Sequence, residues 1–260
     1  MTISLPSGSS TVKSLRLLRL LGTECQLSMA KASSWTYKRA TAARVMPASC
    51  HAVSVIGYAN LARRISSLPP RAGSTRVIAV DGPAGSGKSV FAARLARALS
   101  ASVIGLDDLT PSWTGPDQEA PLLVKQVLAP LAAGRPARYH FFDWVKDRYT
   151  EWRDVLPEPY IVVEGVGAGS RIARLYLSYL VWVEAPSELR LKRGLDRDGA
   201  HRLPEWEHWR AREDALFARE ATRAAADLVV DGAPHDAHDP EAAFVAFSTK
   251  GDWSVRFNAP

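Results

Sequence analysis

A glycine-rich run that ends in lysine and serine has the residue types and spacing that point most directly to chemistry. It matches the pattern G-x-x-x-x-G-K-[ST] at every fixed position, with the residues Gly82, Pro83, Ala84, Gly85, Ser86, Gly87, Lys88 and Ser89. An apolar segment, Val77–Val80, precedes the run, and an amphipathic segment begins after it at Val90. Glycines allow such a loop to curl so that successive backbone N–H groups face a phosphate. The sequence therefore predicts a phosphate-binding loop (P-loop) between a strand and a helix.

The polar groups of the predicted P-loop have separate expected roles. The backbone from Gly82 to Val90 would bind the phosphates of ATP, and the Lys88 ammonium would reach the β- and γ-phosphates. The Ser89 hydroxyl would bind Mg²⁺. A chance glycine turn is the alternative, but the strand before the loop and the helix after it favour phosphate binding. The pattern indicates a nucleoside triphosphate and leaves the second substrate open.

Acidic residues follow two further apolar segments. Asp107 and Asp108 come after Ser102–Leu106, and Glu164 comes after Tyr160–Val163. Ligands of an open α/β sheet bind beyond the carboxyl ends of its strands. Asp107 is therefore a candidate general base for an attacking hydroxyl, or a ligand of Mg²⁺ through water, and Glu164 is a candidate carboxylate on the metal side. The alternatives are that the aspartates cap a turn and that Glu164 only closes a strand; we expect Asp107 to be the base and Asp108 the cap.

Aromatic side chains alternate with charged ones between residues 138 and 148. Such a segment suits a flat, hydroxylated ligand, because aromatic rings stack on it and polar groups fix its orientation. An amphipathic edge strand would give the same pattern. The candidate acceptor-binding residues of this segment are Tyr139, Phe142, Asp143 and Arg148.

A basic helical segment carries Arg193 and Arg197. Arginines on a lid can neutralise the charge that develops on a transferring phosphoryl group. A solvated, charged helix face is the alternative. Together with the P-loop, the segment favours a lid.

Two other clusters are interpreted as structural. His235 and His238 lie in a Pro- and Ala-rich segment without the further ligands that would complete a metal site. Trp206 and Trp209 fall at near-helical spacing, and we expect them to be packing residues rather than part of a binding site.

Five apolar runs alternate with helical segments and predict how these residues are positioned. Strands that are apolar throughout and separated by helices are typical of a parallel sheet with helices on both faces. The expected fold is α/β, a three-layer P-loop NTPase fold with a mainly parallel five-stranded sheet and a helical lid. The predicted strands are Val77–Val80, Ser102–Leu106, Tyr160–Val163, Leu180–Val183 and Asp227–Val230.

The charge of the chain is uneven, and this bounds what the protein binds. Of its 33 Lys and Arg and 27 Asp and Glu, seven basic residues and one acidic residue lie in residues 1–58. The remainder is neutral overall, so we expect no nucleic-acid partner. The sequence has no apolar stretch long enough to span a membrane. Its two cysteines, Cys25 and Cys50, fit a reducing compartment, so a cytoplasmic protein is expected.

The two regions are expected to differ in structure. Residues 1–58 are rich in Ser, Thr, Ala and Arg, which predicts a disordered and dispensable extension. A targeting segment, a basic arm and residues before the true start codon are the alternatives. Residues 59–260 are expected to form the P-loop kinase domain. The sequence leaves open whether the protein is a homo-oligomer.

Taken together, these motifs resemble the uridine kinase-like family of P-loop kinases over about residues 59–232. The resemblance implies that Asp107 is the general base, that Glu164 lies near Mg²⁺, that Tyr139 and its neighbours contact the acceptor, and that Arg193 and Arg197 close over the phosphates. The sequence departs from the family in two places. Nucleoside kinases of the family have an Asp-Ser-Phe-Tyr-like run where this chain has Asp-Asp-Leu-Thr from residue 107, and a Tyr-Asp-Phe run where it has Tyr-His-Phe from residue 139.

The expected function is therefore an ATP- and Mg²⁺-dependent phosphotransferase that acts on a hydroxyl of a small molecule. A nucleoside such as uridine or cytidine is the first candidate acceptor. Kinases for a sugar, pantothenate or a nucleoside monophosphate are alternatives within the same class. A P-loop ATPase or ATP-binding regulatory module without an acceptor is the alternative outside it.

We predict that Lys88→Ala abolishes phosphoryl transfer and leaves the fold intact, because this ammonium would stabilise charge on the transferring group. Turnover of the purified variant, together with its circular dichroism spectrum, measures both effects. Near-normal turnover in a folded variant would remove the main premise.

Overall fold

The computed structural model describes residues 54–110 and 116–249. The chain divides into two units, Met1–Pro47 and Ala48–Pro260, and all of the described residues belong to the second. The strands are β1 (Ser54–Gly57), β2 (Arg76–Asp81), β3 (Ser102–Gly105), β4 (Ala137–Asp143), β5 (Arg148–Val155), β6 (Tyr160–Glu164), β7 (Leu177–Glu184), β8 (Leu228–Asp231) and β9 (Ala243–Thr249). The helices are α1 (Tyr58–Ser66), α2 (Lys88–Leu99), α3 (Glu119–Leu123), α4 (Ala129–Ala132), α5 (Ser187–Asp198), α6 (Leu203–Glu220) and α7 (Thr222–Ala225).

A parallel sheet forms the centre of the domain, and all five predicted strands belong to it. Its parallel strands run in the order β8-β7-β2-β6-β3. The residues from Val77 to Val80 are 0% exposed, which explains why their sequence is apolar at every position rather than at alternate ones. The register pairs Val80 and Gly105 with Glu164. The acidic strand ends therefore meet at one edge of the sheet.

Two antiparallel strands extend this sheet beyond the predicted five. β9 pairs with β8 and β1 pairs with β9, which gives seven strands in all. The expected domain boundary at residue 59 is therefore wrong by several residues, because Ser54–Gly57 is hydrogen-bonded into the sheet and Tyr58 is buried. The expectation about residues 1–53 concerns residues outside the described ranges.

Helices cover both faces of the sheet, as the three-layer prediction requires. Ile78 and Val80 face α1 and α2, where they pack with Leu61 and Leu95. The side chains at the other positions of β2, such as Val77, point to the opposite face of the sheet, towards α3, α4 and the helical stretch between them. That stretch, Val124–Leu128, has π-helical hydrogen bonding. The irregularity lies next to Pro130, which has no N–H to donate within the helix.

A separate two-stranded hairpin and a broken helix complete the domain. β4 and β5 pair with each other and not with the central sheet, so the aromatic segment is a strand, as one of its two interpretations expected. The helical stretch after α5 is interrupted at Ala221, whose φ of 52° ends α6 before α7 begins at Thr222. Within the described part of the chain, no helix has the length and apolar character needed to cross a membrane.

We predict that a chain beginning at residue 59 is less stable than one beginning at Ser54. The shorter chain lacks β1 and Tyr58, whose ring packs against Phe91 and Phe244 at 5.4 and 5.1 Å. Loss of a buried aromatic side chain alone costs about 3–5 kcal/mol. Urea unfolding of the two chains measures the difference. Equal unfolding free energies would show that β1 and Tyr58 contribute nothing.

Candidate active site

The P-loop connects β2 to α2, and close backbone contacts fix its path. Gly82 has a φ of 147°, and a Cβ there would lie 2.1 Å from the carbonyl oxygen of Val183. On the other side, a Cβ on Gly232 would lie 1.9 Å from the carbonyl oxygen of Ser86. A side chain at either glycine would displace the neighbouring backbone. Lys88 begins α2, so the loop and the helix N-terminus together present the N–H groups that bind an anion.

Asp81 anchors the start of this loop, and the sequence analysis missed its role. The side chain is 0% exposed and accepts hydrogen bonds from the N–H groups of Gly82, Gly167 and Gly169 at 2.7, 2.9 and 2.9 Å. Burial raises the pKa of Asp81 to about 6, although these three bonds and Lys88 act to lower it. The carboxyl therefore ties the P-loop to the loop that follows β6. Its position at the end of a wholly apolar strand was a signal for such a role.

Ser89 and Glu164, the two predicted metal ligands, lie next to each other. The Ser89 hydroxyl donates to Glu164 Oε2 at 3.2 Å. The pKa of Glu164 is raised above its ordinary value because the carboxyl is buried. The nearby Lys88 ammonium offsets part of this rise. A hydroxyl and a carboxylate beside a phosphate-binding loop are oxygen ligands of the type that Mg²⁺ prefers, so the pair fits this ion. Within residues 54–110 and 116–249, no group of three His, Cys, Asp or Glu side chains could hold a metal ion.

The two aspartates after β3 have different surroundings. They belong to a short 3-10 turn, Leu106–Asp108, whose N-cap position is Gly105, so Asp108 does not cap the start of this turn. Instead, Asp108 Oδ2 lies 3.6 Å from Arg153 Nη1 and interacts with the Tyr139 hydroxyl. The pKa of Asp108 is raised above its ordinary value because the carboxyl is partly buried, and the positive charge of Arg153 offsets part of this rise. Asp107 is exposed and lines a cavity.

Two cavities meet at the P-loop. The larger, of about 750 Å³, extends from Lys88 and Ser89 along α5 to the segment after β8. The smaller, of about 440 Å³, contains Asp107. Gly85 and Arg197 line both cavities. A group bound at this junction would face both cavities.

The two predicted lid arginines are already bound to neighbouring groups. Arg193 donates to the carbonyl oxygens of Gly85 and Gly232 at 3.1 and 3.0 Å, which docks α5 on the P-loop. Arg197 forms two hydrogen bonds with Asp198, at 2.7 and 2.9 Å. Of the two, Arg193 therefore supports the backbone, while Arg197 lies at the junction of the cavities.

The smaller cavity is not lined by most of the predicted acceptor-binding residues. Tyr139 and Phe142 are buried, at 5% and 3% exposure. Asp143 accepts hydrogen bonds from Val145 and Lys146 in the hairpin turn. Arg148 is exposed on the hairpin and absent from the lining of the cavity. Asp107 is the predicted acceptor residue that the structure brings to the cavity.

Three tryptophans form much of the wall instead: Trp144, Trp206 and Trp209. Trp144 Nε1 donates to the carbonyl oxygen of Asp107 at 2.8 Å, so the hairpin turn lies against the Asp107 segment. Trp206 and Trp209 do pack, at 1% and 8% exposure, but both residues also line the cavity. Helical spacing in the sequence shows which side of a helix is buried and cannot distinguish these two environments.

Glu119 is a second residue that the sequence analysis missed. It is 3% exposed, and Thr110 Oγ1 donates to its Oε1 at 3.2 Å. Its Oε2 is buried and has no hydrogen-bond partner among the described residues. Burial and then the negative charge of Asp107 raise the pKa of Glu119 well above its ordinary range, although Lys88 lowers it. Repulsion between the two carboxyls therefore favours a proton on the buried one.

We predict that the unfolding free energy of Glu119→Gln, minus that of the unmodified chain, increases as the pH rises from about 4 to 7. Because the pKa is higher in the folded state, folding takes up a proton. The stability due to the neutral carboxyl is complete below the ordinary pKa and is lost as the pH rises towards the folded pKa. Glutamine cannot lose this proton. Urea unfolding at both pH values tests this, with Glu207→Gln at an exposed site of α6 as the control; a difference that does not change with pH would contradict it.

Comparison of the sequence with models of protein families and with curated proteins gives no significant match. The structure is similar to a protein from Bacillus stearothermophilus described as a possible uridine kinase, with a TM-score of 0.48 and 21% identity over 66% of this chain and 96% of that one. It is also similar to a candidate fructose transport system kinase from Silicibacter sp. TM1040, with a TM-score of 0.46 and 22% identity over 66% and 95%. Shikimate kinase from Acinetobacter baumannii gives a TM-score of 0.35 and 13% identity over 69% and 90%. Likenesses at this level assign neither a reaction nor an acceptor to this chain.

Proposed function

We propose that this chain is an ATP- and Mg²⁺-dependent phosphotransferase that acts on a hydroxyl group of a small molecule. The observation that carries the proposal is the meeting of two cavities at Gly85 and Arg197, with Lys88 in the larger and Asp107 in the smaller. Such an arrangement suits a nucleotide on one side of a phosphate and an acceptor on the other. A site for ATP alone would not need the second cavity.

The larger cavity would hold ATP, with its phosphates on the P-loop backbone and Lys88. Ser89 and Glu164, whose side chains lie 3.2 Å apart, would hold Mg²⁺. When bound, this ion neutralises charge on the β- and γ-phosphates. Arg197 lines both cavities and would stabilise the charge that develops on the transferring phosphoryl group.

Asp107 would act as the general base on the acceptor. Its carboxylate takes the proton from the acceptor hydroxyl, the oxygen forms a bond to the γ-phosphorus, and the bond to the β-phosphate oxygen breaks to release ADP. The exposed position of Asp107 in the smaller cavity supports this role. Asp108 is less suited to it, because it is paired with Arg153.

The lining of the smaller cavity favours a flat and uncharged acceptor. Three tryptophans line it, and the exposed indole ring of Trp144 offers a stacking surface. Apart from Arg197, which is assigned to the transferring phosphoryl group, the lining contains Arg202, which is paired with Glu205 at 2.9 Å. A phosphate on the acceptor would have to compete with this carboxylate. A nucleoside therefore fits the cavity better than a nucleoside monophosphate.

We predict that Asp107→Asn and Glu164→Gln fail in different ways. Asparagine keeps the size of the side chain but cannot accept the proton, so kcat falls about 10²–10⁴-fold with little change in ATP affinity. Glu164→Gln instead raises the Mg²⁺ concentration needed for half-maximal turnover and also slows turnover. The measurements are kcat and a Mg²⁺ titration with an acceptor found by screening nucleosides, sugars, pantothenate and nucleoside monophosphates.

Asp108→Asn is the matched control, since it makes the same chemical change one residue away. We expect a milder effect, because Asp108 contacts Arg153 and Tyr139 rather than the cavity. A severe loss in Asp108→Asn with near-normal turnover in Asp107→Asn would reverse the assignment. Wild-type turnover in both would place the base elsewhere.

A further inference from the structure

A buried ion pair joins α6 to the P-loop and has no part in the proposed reaction. Glu213 is 0% exposed and Arg190 is 8% exposed. Glu213 Oε1 accepts a hydrogen bond from Arg190 Nη1 at 2.9 Å. Its Oε2 accepts one from the backbone N–H of Ala84, 129 residues earlier in the chain, at 2.8 Å, and one from Trp209 Nε1 at 3.1 Å. A single side chain thus accepts hydrogen bonds from the P-loop, from α5 and from its own helix, α6.

These three donors belong to elements that line the smaller cavity: the P-loop, α5 and α6. Ala84 and Trp209 both line the smaller cavity. Arg190 belongs to α5, the helix that also carries Arg193 and Arg197. Glu213 therefore fixes the P-loop, α5 and the indole wall of α6 with respect to one another.

We propose that Glu213 is a positioning residue that holds the acceptor side of the P-loop against the wall of the smaller cavity. The segment concerned is Ala84 and Gly85, where the cavities meet. This inference rests on the proposed function, because it assigns the network a role in aligning the two substrates. Glu213 contacts neither cavity directly and acts through Ala84 and Trp209.

The chemistry of the network favours alignment over packing alone. Burying a carboxylate and a guanidinium costs free energy, and a well-packed apolar pair of similar volume is often at least as stable. An apolar pair, however, could not bind the N–H groups of Ala84 and Trp209. A glutamine at this position would have only one acceptor oxygen. If that oxygen faces Ala84 and Trp209, the NH₂ group faces the Arg190 guanidinium. If the oxygen faces Arg190, the NH₂ group faces the N–H donors of Ala84 and Trp209.

The first experiment compares Mg²⁺·ATP binding to the full chain and to Glu213→Gln by calorimetry. We expect the Kd to rise about tenfold or more, since a hydrogen bond to a charged group is lost at the loop that binds the phosphates. Asp214→Asn, a neighbouring change at an exposed position of the same helix, should leave the Kd unchanged. Tryptophan emission gives a second readout: we expect ATP to alter it in the full chain and less so in Trp209→Phe and Glu213→Gln.

The second experiment separates positioning from structural support by replacing the pair with apolar residues, Arg190→Met with Glu213→Leu. The proposal predicts that the double variant still folds with a cooperative thermal transition and that its ATP Kd is as weak as in Glu213→Gln. Recovery of both stability and ATP affinity in the double variant would overturn the proposal. An unchanged ATP Kd in Glu213→Gln would also overturn it, whether or not the double variant folds. If the full chain itself does not bind Mg²⁺·ATP, the proposed function fails as well, and this outcome is distinct from the others.

Discussion

The close packing of backbone around the P-loop is the constraint on which the rest of the structure depends. Gly82 lies against the carbonyl of Val183 at the end of β7, and Gly232 lies against the carbonyl of Ser86. The loop can follow this path only where side chains are absent. The buried carboxyl of Asp81 then holds the start of the loop through three backbone N–H groups. These contacts fix the position of Lys88 and Ser89, and with them the place where a phosphate can bind.

The two sides of the site are built differently. On the phosphate side, the ends of parallel strands bring Asp81 and Glu164 to one edge of the sheet, and the groups around them are mostly backbone. On the proposed acceptor side, much of the wall comes from residues of the hairpin turn, α5 and α6, among them Trp144 and Trp206. A rigid phosphate side suits a common nucleotide, while a wall of side chains can be adapted to a particular acceptor. Glu213 belongs to both sides.

The sequence predicted the parts of the fold that depend on local patterns. The P-loop and the five apolar strands were confirmed because a buried parallel strand is apolar at every position. β1 and β9 were missed because β1 is only four residues long and both strands pair antiparallel at one side of the sheet, outside the strand–helix alternation on which the prediction was based. The proposed acceptor side was predicted poorly. Tyr139 packs in the core, whereas Trp206 is buried and also lines the cavity, and only the packing of distant elements decides between these environments. Glu119 and Glu213 are buried carboxyls in helices that no local motif marks, and Asp81 was marked only by its position at the end of an apolar strand.

The fate of the γ-phosphoryl group of ATP tests the central claim most directly. The full chain would be incubated with Mg²⁺ and ATP labelled in the γ-phosphoryl group, with and without a mixture of small hydroxyl-bearing molecules, and the labelled products identified by mass. The account predicts that the label enters an organic phosphate only when the mixture is present, in an amount equal to the ADP formed. Label that appears only as inorganic phosphate, at a rate that no acceptor changes, would show instead an ATPase and would contradict the account.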